Sequence, residues 1–379
     1  MSHTIAMQLI SLDQVFQILK PGVPLPFGVR DAAGRLLLAK GLVLHDQAKL
    51  LELLNRGMFV DTEEVKRSAP VRESEAVQRP LERFSSRWDT FLRKLGLLLQ
   101  TPGDPNFLKQ VRELVVQMAG CSDSCTDQMI FLIVRHDYSQ TNRYTEVHSL
   151  HVAALCHLVS RRLGWSDARR LSLIGAALTM NLGMANLQAK LAGQRTPPTL
   201  PQRKEIEAHP LVSVELLRAA GLKDEEWLLA VERHHECPGG GGYPQQVQEP
   251  CEMSQLIRFV DSFTAKHSAR AGRAKQPAQQ AARELYAQSG GNPLAAALIK
   301  ECGIYPPGCF VKLASGETAV VTRRGVTAKE PLVAALTNAQ GEPMARPVQR
   351  DTAQPARAIV ATLADKDVTI QVSVDQLYG

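Results

Sequence analysis

The sequence contains no apolar run approaching the roughly 18 to 20 residues that a membrane-spanning helix needs, which argues against an integral helical membrane protein. Its first residues, MSHTIAMQLISLDQVFQ, lack the charged start, long apolar stretch and small-residue cleavage site of a secretory signal, so a cytoplasmic protein is expected. Cysteine is sparse: there are seven residues with no C-x-x-C spacing, and Cys121 and Cys125 are the closest pair. With no second pair nearby, neither a cysteine zinc site nor a disulfide framework is expected, and free thiols fit a reducing compartment. A net charge of +6 over 379 residues is modest. Without a zinc finger, a helix-turn-helix or a concentrated basic-aromatic surface, nucleic-acid binding is not expected. Low-complexity tracts and internal repeats are also lacking.

What is present is ordinary globular composition, 44% hydrophobic and 22% charged, enough for two or three domains with cores of their own. Residues 1–65 read as a small α+β module. GVRDAAGRLLL forms a hairpin, with Val29 leading into a turn at Asp31–Gly34 and Leu36–Leu38 returning; Gly41 ends the strand. HDQAKLLELLNRG then reads as a helix stopped by Gly57. Residues 66–82, charged and carrying two prolines, read as a linker. Residues 83–143 read as a helical connector, with apolar residues at helical spacing from Phe84 through Trp88, Phe91, Leu92, Leu95 and Leu98. Residues 144–303 are dominated by helical patterns. In residues 304–379 apolar and polar residues alternate and turns fall at Pro306-Pro307-Gly308 and Ser315-Gly316, so a small β-rich module is expected, with strands also in PLVAALTN and ARAIVATL. The fold class is therefore mainly α: a central all-helical bundle flanked by small strand-containing modules.

The most distinctive string runs His234-His235-Glu236-Cys237-Pro238, then four glycines to Gly242, then Tyr243-Pro244. A glycine run costs ordering entropy, which makes its chance retention less expected than that of a strand. A flexible loop with two surface histidines is the plain alternative. His148 shares a helix face with Val152, Leu155 and Val159. His209 precedes a proline compatible with the first turn of a helix. Asp261 is an acid inside the apolar helical run LIRFVDSFTA, where an unpartnered carboxylate is costly. Such groups on successive helices suggest a converging polar cluster. The basic run Lys266, Arg270, Arg273 and Lys275 reads either as a solvated helix face or as an anion contact.

In order and approximate separation these motifs resemble the HD-GYP family, a branch of the HD phosphohydrolase superfamily that degrades cyclic di-GMP in bacterial signalling. The resemblance spans about 160 residues and is carried by His148, Ala176–Met184, His209-Pro210, His234–Pro244, Val260-Asp261 and Arg270. It implies a metal site on His148, His209, His234, His235 and Asp261, a phosphate contact at Arg270 (with Lys266 and Arg273 nearby), and an interaction loop at Gly242, Tyr243 and Pro244. In the family that loop is associated with docking of diguanylate cyclase domains. Three departures stand out. Met180 and Asn181 occupy the positions of the His-Asp pair, Met184 that of the phosphate-binding lysine, and Gly239 and Thr264 those of two further acids. A thioether is a soft ligand and an amide oxygen carries no charge, so a bridged pair of metals is not expected. The expected cofactor is none, or a single Zn, Fe or Mn ion on the three-histidine set. The expected role is a catalytically silent signalling protein that acts as an interaction or receptor module. Residual phosphodiesterase activity, or cyclic di-GMP binding without turnover, are the alternatives.

Overall fold

The structure is a computed structural model that describes residues 9–12, 25, 27–42, 59–61, 84–136, 143–268, 276–372 and 374–378. The chain divides into two compact units, Met1–Leu81 and Glu82–Gly379. The expected linker, the helix ending at Gly57, and Arg270, Arg273 and Lys275 lie outside the described residues.

In the first unit β1 (Leu9–Ser11), β2 (Val29–Arg30), β3 (Leu36–Leu38) and β4 (Phe59–Asp61) form an antiparallel sheet in the order β1-β4-β2-β3. The expected hairpin joins β2 to β3. Asp31 Oδ1 accepts from the backbone N–H of Ala33 and of Arg35, each at 2.9 Å, and Gly34 supplies the positive φ of +80° that the turn requires. Val29 and Val60 pair across the sheet and are fully buried.

The second unit is mainly helical. Its helices are α1 (Phe84–Gln100), α2 (Phe107–Ser124), α3 (Thr126–Arg135), α4 (Tyr144–Arg162), α5 (Asp167–Thr179), α6 (Ala185–Gly193), α7 (Leu200–Ala219), α8 (Glu225–Glu232), α9 (Glu252–His267), α10 (Ala278–Gln288) and α11 (Pro293–Cys302). Helix α4 is the spine, buried on every side from Val147 to Ser160. A helix without a solvent face must lie in the middle of its bundle. Each large apolar side chain buried there contributes about 1.5–3 kcal/mol. Helix α8 seats on α5 through Trp227. A Cβ at Gly175 would fall 2.1 Å from the indole ring, so only glycine permits this approach. The indole Nε1–H donates to Thr179 Oγ1 at 2.9 Å, which fixes the end of α5 just before Met180.

The C-terminal strands β5 (Phe310–Leu313), β6 (Thr318–Arg323), β7 (Leu332–Thr337), β8 (Pro343–Asp351) and β9 (Ile359–Leu363) form an antiparallel sheet in the order β8-β7-β6-β5-β9. Strand β8 is absent from the sequence expectation. It is a polar edge strand with no buried residue, where neither apolar alternation nor exclusion of proline is imposed. One face of the sheet joins the helical core through Phe310, Val320, Ala334 and Leu336. Arg324 clamps the junction, pairing with Asp127 of α3 at 2.6 Å and with the buried Glu301 of α11 at 2.5 Å. The closing helix α12 (Val374–Tyr378) buries Val374 and Leu377, and the Tyr378 hydroxyl donates to the Thr322 carbonyl. The bundle and this sheet are therefore one compact unit.

Candidate metal centre

His209 stands inside α7, and the expectation that Pro210 opens a helix is incorrect. The first turn of α7 lies ten residues earlier, where Thr199 and Gln202 form a capping box and Pro201 occupies an initial position. Pro210 is an interior proline. It has no N–H for the carbonyl of Ile206, its partner four residues back. His209 takes that vacancy, its Nδ1 lying 2.5 Å from the Ile206 oxygen.

His234 is held by a parallel device. Helix α8 ends at Glu232, so the Val231 carbonyl is among the last-turn acceptors left without a helical donor, and His234 Nδ1 meets it at 2.6 Å. A carbonyl can only accept, so both Nδ1 atoms carry hydrogen and both Nε2 atoms present lone pairs. Those two Nε2 atoms face each other at 3.1 Å. Lone pairs at that separation repel unless a proton or a cation lies between them.

Burial opposes the proton. Burial, then the neighbouring His234, pushes the His209 pKa down to about 3, against the opposing pull of Ile206 and Asp261. Burial likewise lowers His234, and lowers His235 well below the ordinary imidazole range. His235 completes the group: one ligand atom from each of His209, His234 and His235 lies within 4.8 Å of the others. Three neutral imidazoles converging in this way suit a borderline divalent ion.

His148 and Asp261 form a neighbouring pair, one on the buried spine α4 and the other on α9, with Nε2 2.6 Å from Oδ1. The His148 ring stacks on Tyr144 with centroids 5.5 Å apart and planes at 9°. Burial alone would raise the Asp261 pKa, but chiefly the hydrogen bond from His148 holds it well below the usual carboxylate range. Asp261 is thus a carboxylate that accepts from His148.

The glycine string is an ordered loop. The Glu236 carboxylate, fully buried, accepts the backbone N–H of Gln245 at 2.7 Å and of Val247 at 3.0 Å. A Cβ at Gly242 would come within 2.5 Å of Cys237 N, Glu236 Cα and His235 O, so the chain crosses itself where only glycine fits. Gly239 and Gly240 have φ of +83° and +76°. The Tyr243 ring stacks on His235, centroids 4.6 Å apart. Burial, then the charges of Asp261 and Glu207, raises the Tyr243 pKa and keeps its hydroxyl protonated. Pro244 follows on the same half-buried stretch.

Residues 125–292 match the family model described as an HD domain (HD_5). The chain is 29% identical over 141 residues to the 3'3'-cGAMP-specific phosphodiesterase 3 of Vibrio cholerae, covering 36% of this chain and 30% of that protein. It is 26% identical over 190 residues to the cyclic di-GMP phosphodiesterase PA4108 of Pseudomonas aeruginosa, covering 48% of this chain and 45% of that protein. It thus spans less than half the length of either relative. Among solved structures, Bd1817, an HDG"Y"P protein from Bdellovibrio bacteriovorus, shares the fold with a TM-score of 0.50 and 14% identity over 77% of this chain and 97% of that one. Residues 125–292 thus match an HD domain.

HD domains form a metal-dependent family, and His209, His234 and His235 form a cluster that could hold an ion. The resemblance seen in the sequence puts Met180 and Asn181 at the family's His-Asp positions. Met180 and Asn181 are both buried, and their backbone is tied to α7 through Ser213, which donates to the Met180 carbonyl and accepts from the Gly183 N–H, each at 2.9 Å. A Cβ at Gly183 would sit 2.7 Å from the His209 carbonyl, so this turn lies directly against the histidine cluster. Asn181 Oδ1, His148 Nδ1 and Thr264 Oγ1 are buried without a partner among the described residues. Met184 is partly buried beside them in sequence. Lys266, read either as part of a solvated helix face or as an anion contact, pairs with Glu284 of α10 at 2.9 Å. That pairing links two successive helices, which spacing within one helix does not disclose. Ser213 was not singled out from the sequence, while Pro210 and Glu236 were named within motifs but given no positioning role. Their signals were a proline directly after a histidine and an acid amid glycines.

Proposed function

We propose that this chain is a cyclic-dinucleotide signalling protein, cytoplasmic, whose HD-GYP domain holds a single divalent ion and serves as a receptor or docking module rather than an efficient phosphodiesterase. The observation carrying this reading is the buried Asn181 beside Met180 at the end of α5. Two-metal hydrolysis needs an anionic bridge to hold both ions and the attacking hydroxide between them. A neutral amide and a thioether supply no such charge. His209, His234 and His235 would hold one Zn, Fe or Mn ion, which would supply Lewis acidity and an anchor for phosphate oxygens. The ordered Gly242-Tyr243-Pro244 segment is the surface proposed to meet a protein partner, such as a diguanylate cyclase domain. Kinship to enzymes acting on 3'3'-cGAMP and cyclic di-GMP supports the ligand class.

A second reading, residual phosphodiesterase activity, is favoured by one feature. The unpartnered Asn181 Oδ1 is a neutral oxygen able to serve as a weak ligand. The test is hydrolysis of cyclic di-GMP and 3'3'-cGAMP by the full chain, loaded in turn with Mn²⁺ and with Fe²⁺ under anaerobic conditions, with products resolved by chromatography. The native chain is expected to bind without forming product, and the Met180→His, Asn181→Asp variant to take up a second metal ion. Product formation by the native chain that vanishes in His235→Ala would establish the enzyme instead.

A further inference from the structure

A cavity of about 930 Å³ lies away from the histidine cluster, where the bundle meets the C-terminal sheet. Its volume is within the roughly 300–1,000 Å³ of small-molecule sites. One wall is the last turn of α4, with Arg161 and Arg162; another is the last turn of α11, with Lys300. The third is the β6–β7 connection, carrying Arg324, Gly325 and Val326. That connection is tightly built: a Cβ at Gly325 would fall 1.9 Å from the Glu330 carbonyl, and Thr327 Oγ1 donates to Glu330 at 2.8 Å.

The lining carries four cationic side chains against two carboxylates, Asp127 and Glu301. Arg324 is consumed by those carboxylates. Arg161 meets Asp123, outside the lining, at 2.7 Å. Arg162 is committed only through Nε, which meets Glu301 at 2.5 Å, and no acceptor among the described residues takes its two terminal nitrogens. Lys300 is exposed and likewise has no acceptor among them. Planar guanidinium nitrogens beside an ammonium group are suited to phosphate oxygens. Apolar surface adjoins them: Tyr305 contributes a ring, Ile304 is 41% exposed, and Val326 is fully exposed at the lip. An aliphatic side chain left in water beside a charged cavity gains from a ligand with a flat or apolar part.

We propose that this cavity is a second ligand site, distinct from the histidine cluster, for a phosphorylated small molecule with an aromatic moiety, of the nucleoside phosphate class. The test is titration of the full chain with a fluorescent ADP analogue at low salt, followed by anisotropy. Saturable binding is expected, weakened at least tenfold by Lys300→Glu and by Val326→Asp. Both residues are exposed, so neither change should disturb folding, whereas Arg162→Ala would leave the buried Glu301 short of a partner. Binding should persist in His235→Ala, which separates this site from the metal centre. Lack of saturation at millimolar probe, insensitivity to both surface variants, or loss in His235→Ala would each overturn the proposal.

Discussion

The two halves of the polar site differ in how much of their own bonding capacity they satisfy. His148 and Asp261 complete one another at Nε2 and Oδ1, a ring N–H on a carboxylate at 2.6 Å, although His148 Nδ1 has no partner among the described residues. His209 and His234 do the opposite. Each spends its hydrogen on a backbone carbonyl and turns its lone pair toward the other at 3.1 Å. The first arrangement is stable alone, and the second asks for a cation. The contrast teaches that a histidine's ligand role is decided on the far side of its ring, by what holds Nδ1.

The largest expected effect comes from removing a donor from the second half. His235→Ala should reduce bound metal from about one ion per chain to none, as read by elemental analysis. With metal at a thousandfold its dissociation constant, about 4 kcal/mol of metal-dependent stabilisation should disappear from melts compared with and without chelator. Retention of the metal would show that the three histidines are not the centre.

Asp261→Asn probes the self-sufficient half. The amide keeps an acceptor for His148 but removes the charge that makes the bond worth about 1.5–3 rather than about 1 kcal/mol, and that difference should appear in denaturant melts of the metal-free chain. Metal content should stay near one ion per chain. If the ion is lost as well, the two halves form one centre and the comparison fails.

The subtlest test is Pro210→Ala. Alanine restores a backbone N–H to the Ile206 carbonyl and displaces His209 Nδ1 from it. The metal-free chain should gain stability, since an interior proline costs a helix about 3 kcal/mol. Metal affinity should fall about 10- to 100-fold, the usual penalty for losing a group that orients a ligand. Equal affinity in both chains would mean that the His-Pro pairing has no orienting role.

Much of the architecture was legible from local pattern. The helical spacing at Phe84, Trp88, Phe91, Leu92 and Leu95 is the buried face of α1, and the Asp31–Gly34 turn joins two strands. Strand β8 was not legible, because an edge strand with a solvated face carries no apolar alternation. The union of the C-terminal sheet with the bundle was equally hidden. It rests on Arg324 reaching Asp127 and Glu301, contacts made by residues far apart in the chain. The partner of Lys266 was not legible either, Glu284 lying on another helix.

By itself the sequence determined the helical core and a motif order resembling that of the HD-GYP family, with Met180 and Asn181 where the resemblance expects the His-Asp pair. Residue identity and short-range periodicity are encoded locally, and donor chemistry follows from side-chain type. Tertiary structure alone decided which nitrogen of each histidine is free and which carboxylate is already engaged. It also decided which cationic groups remain available at the second cavity. Those outcomes depend on hydrogen-bond partners that only folding brings within about 3 Å.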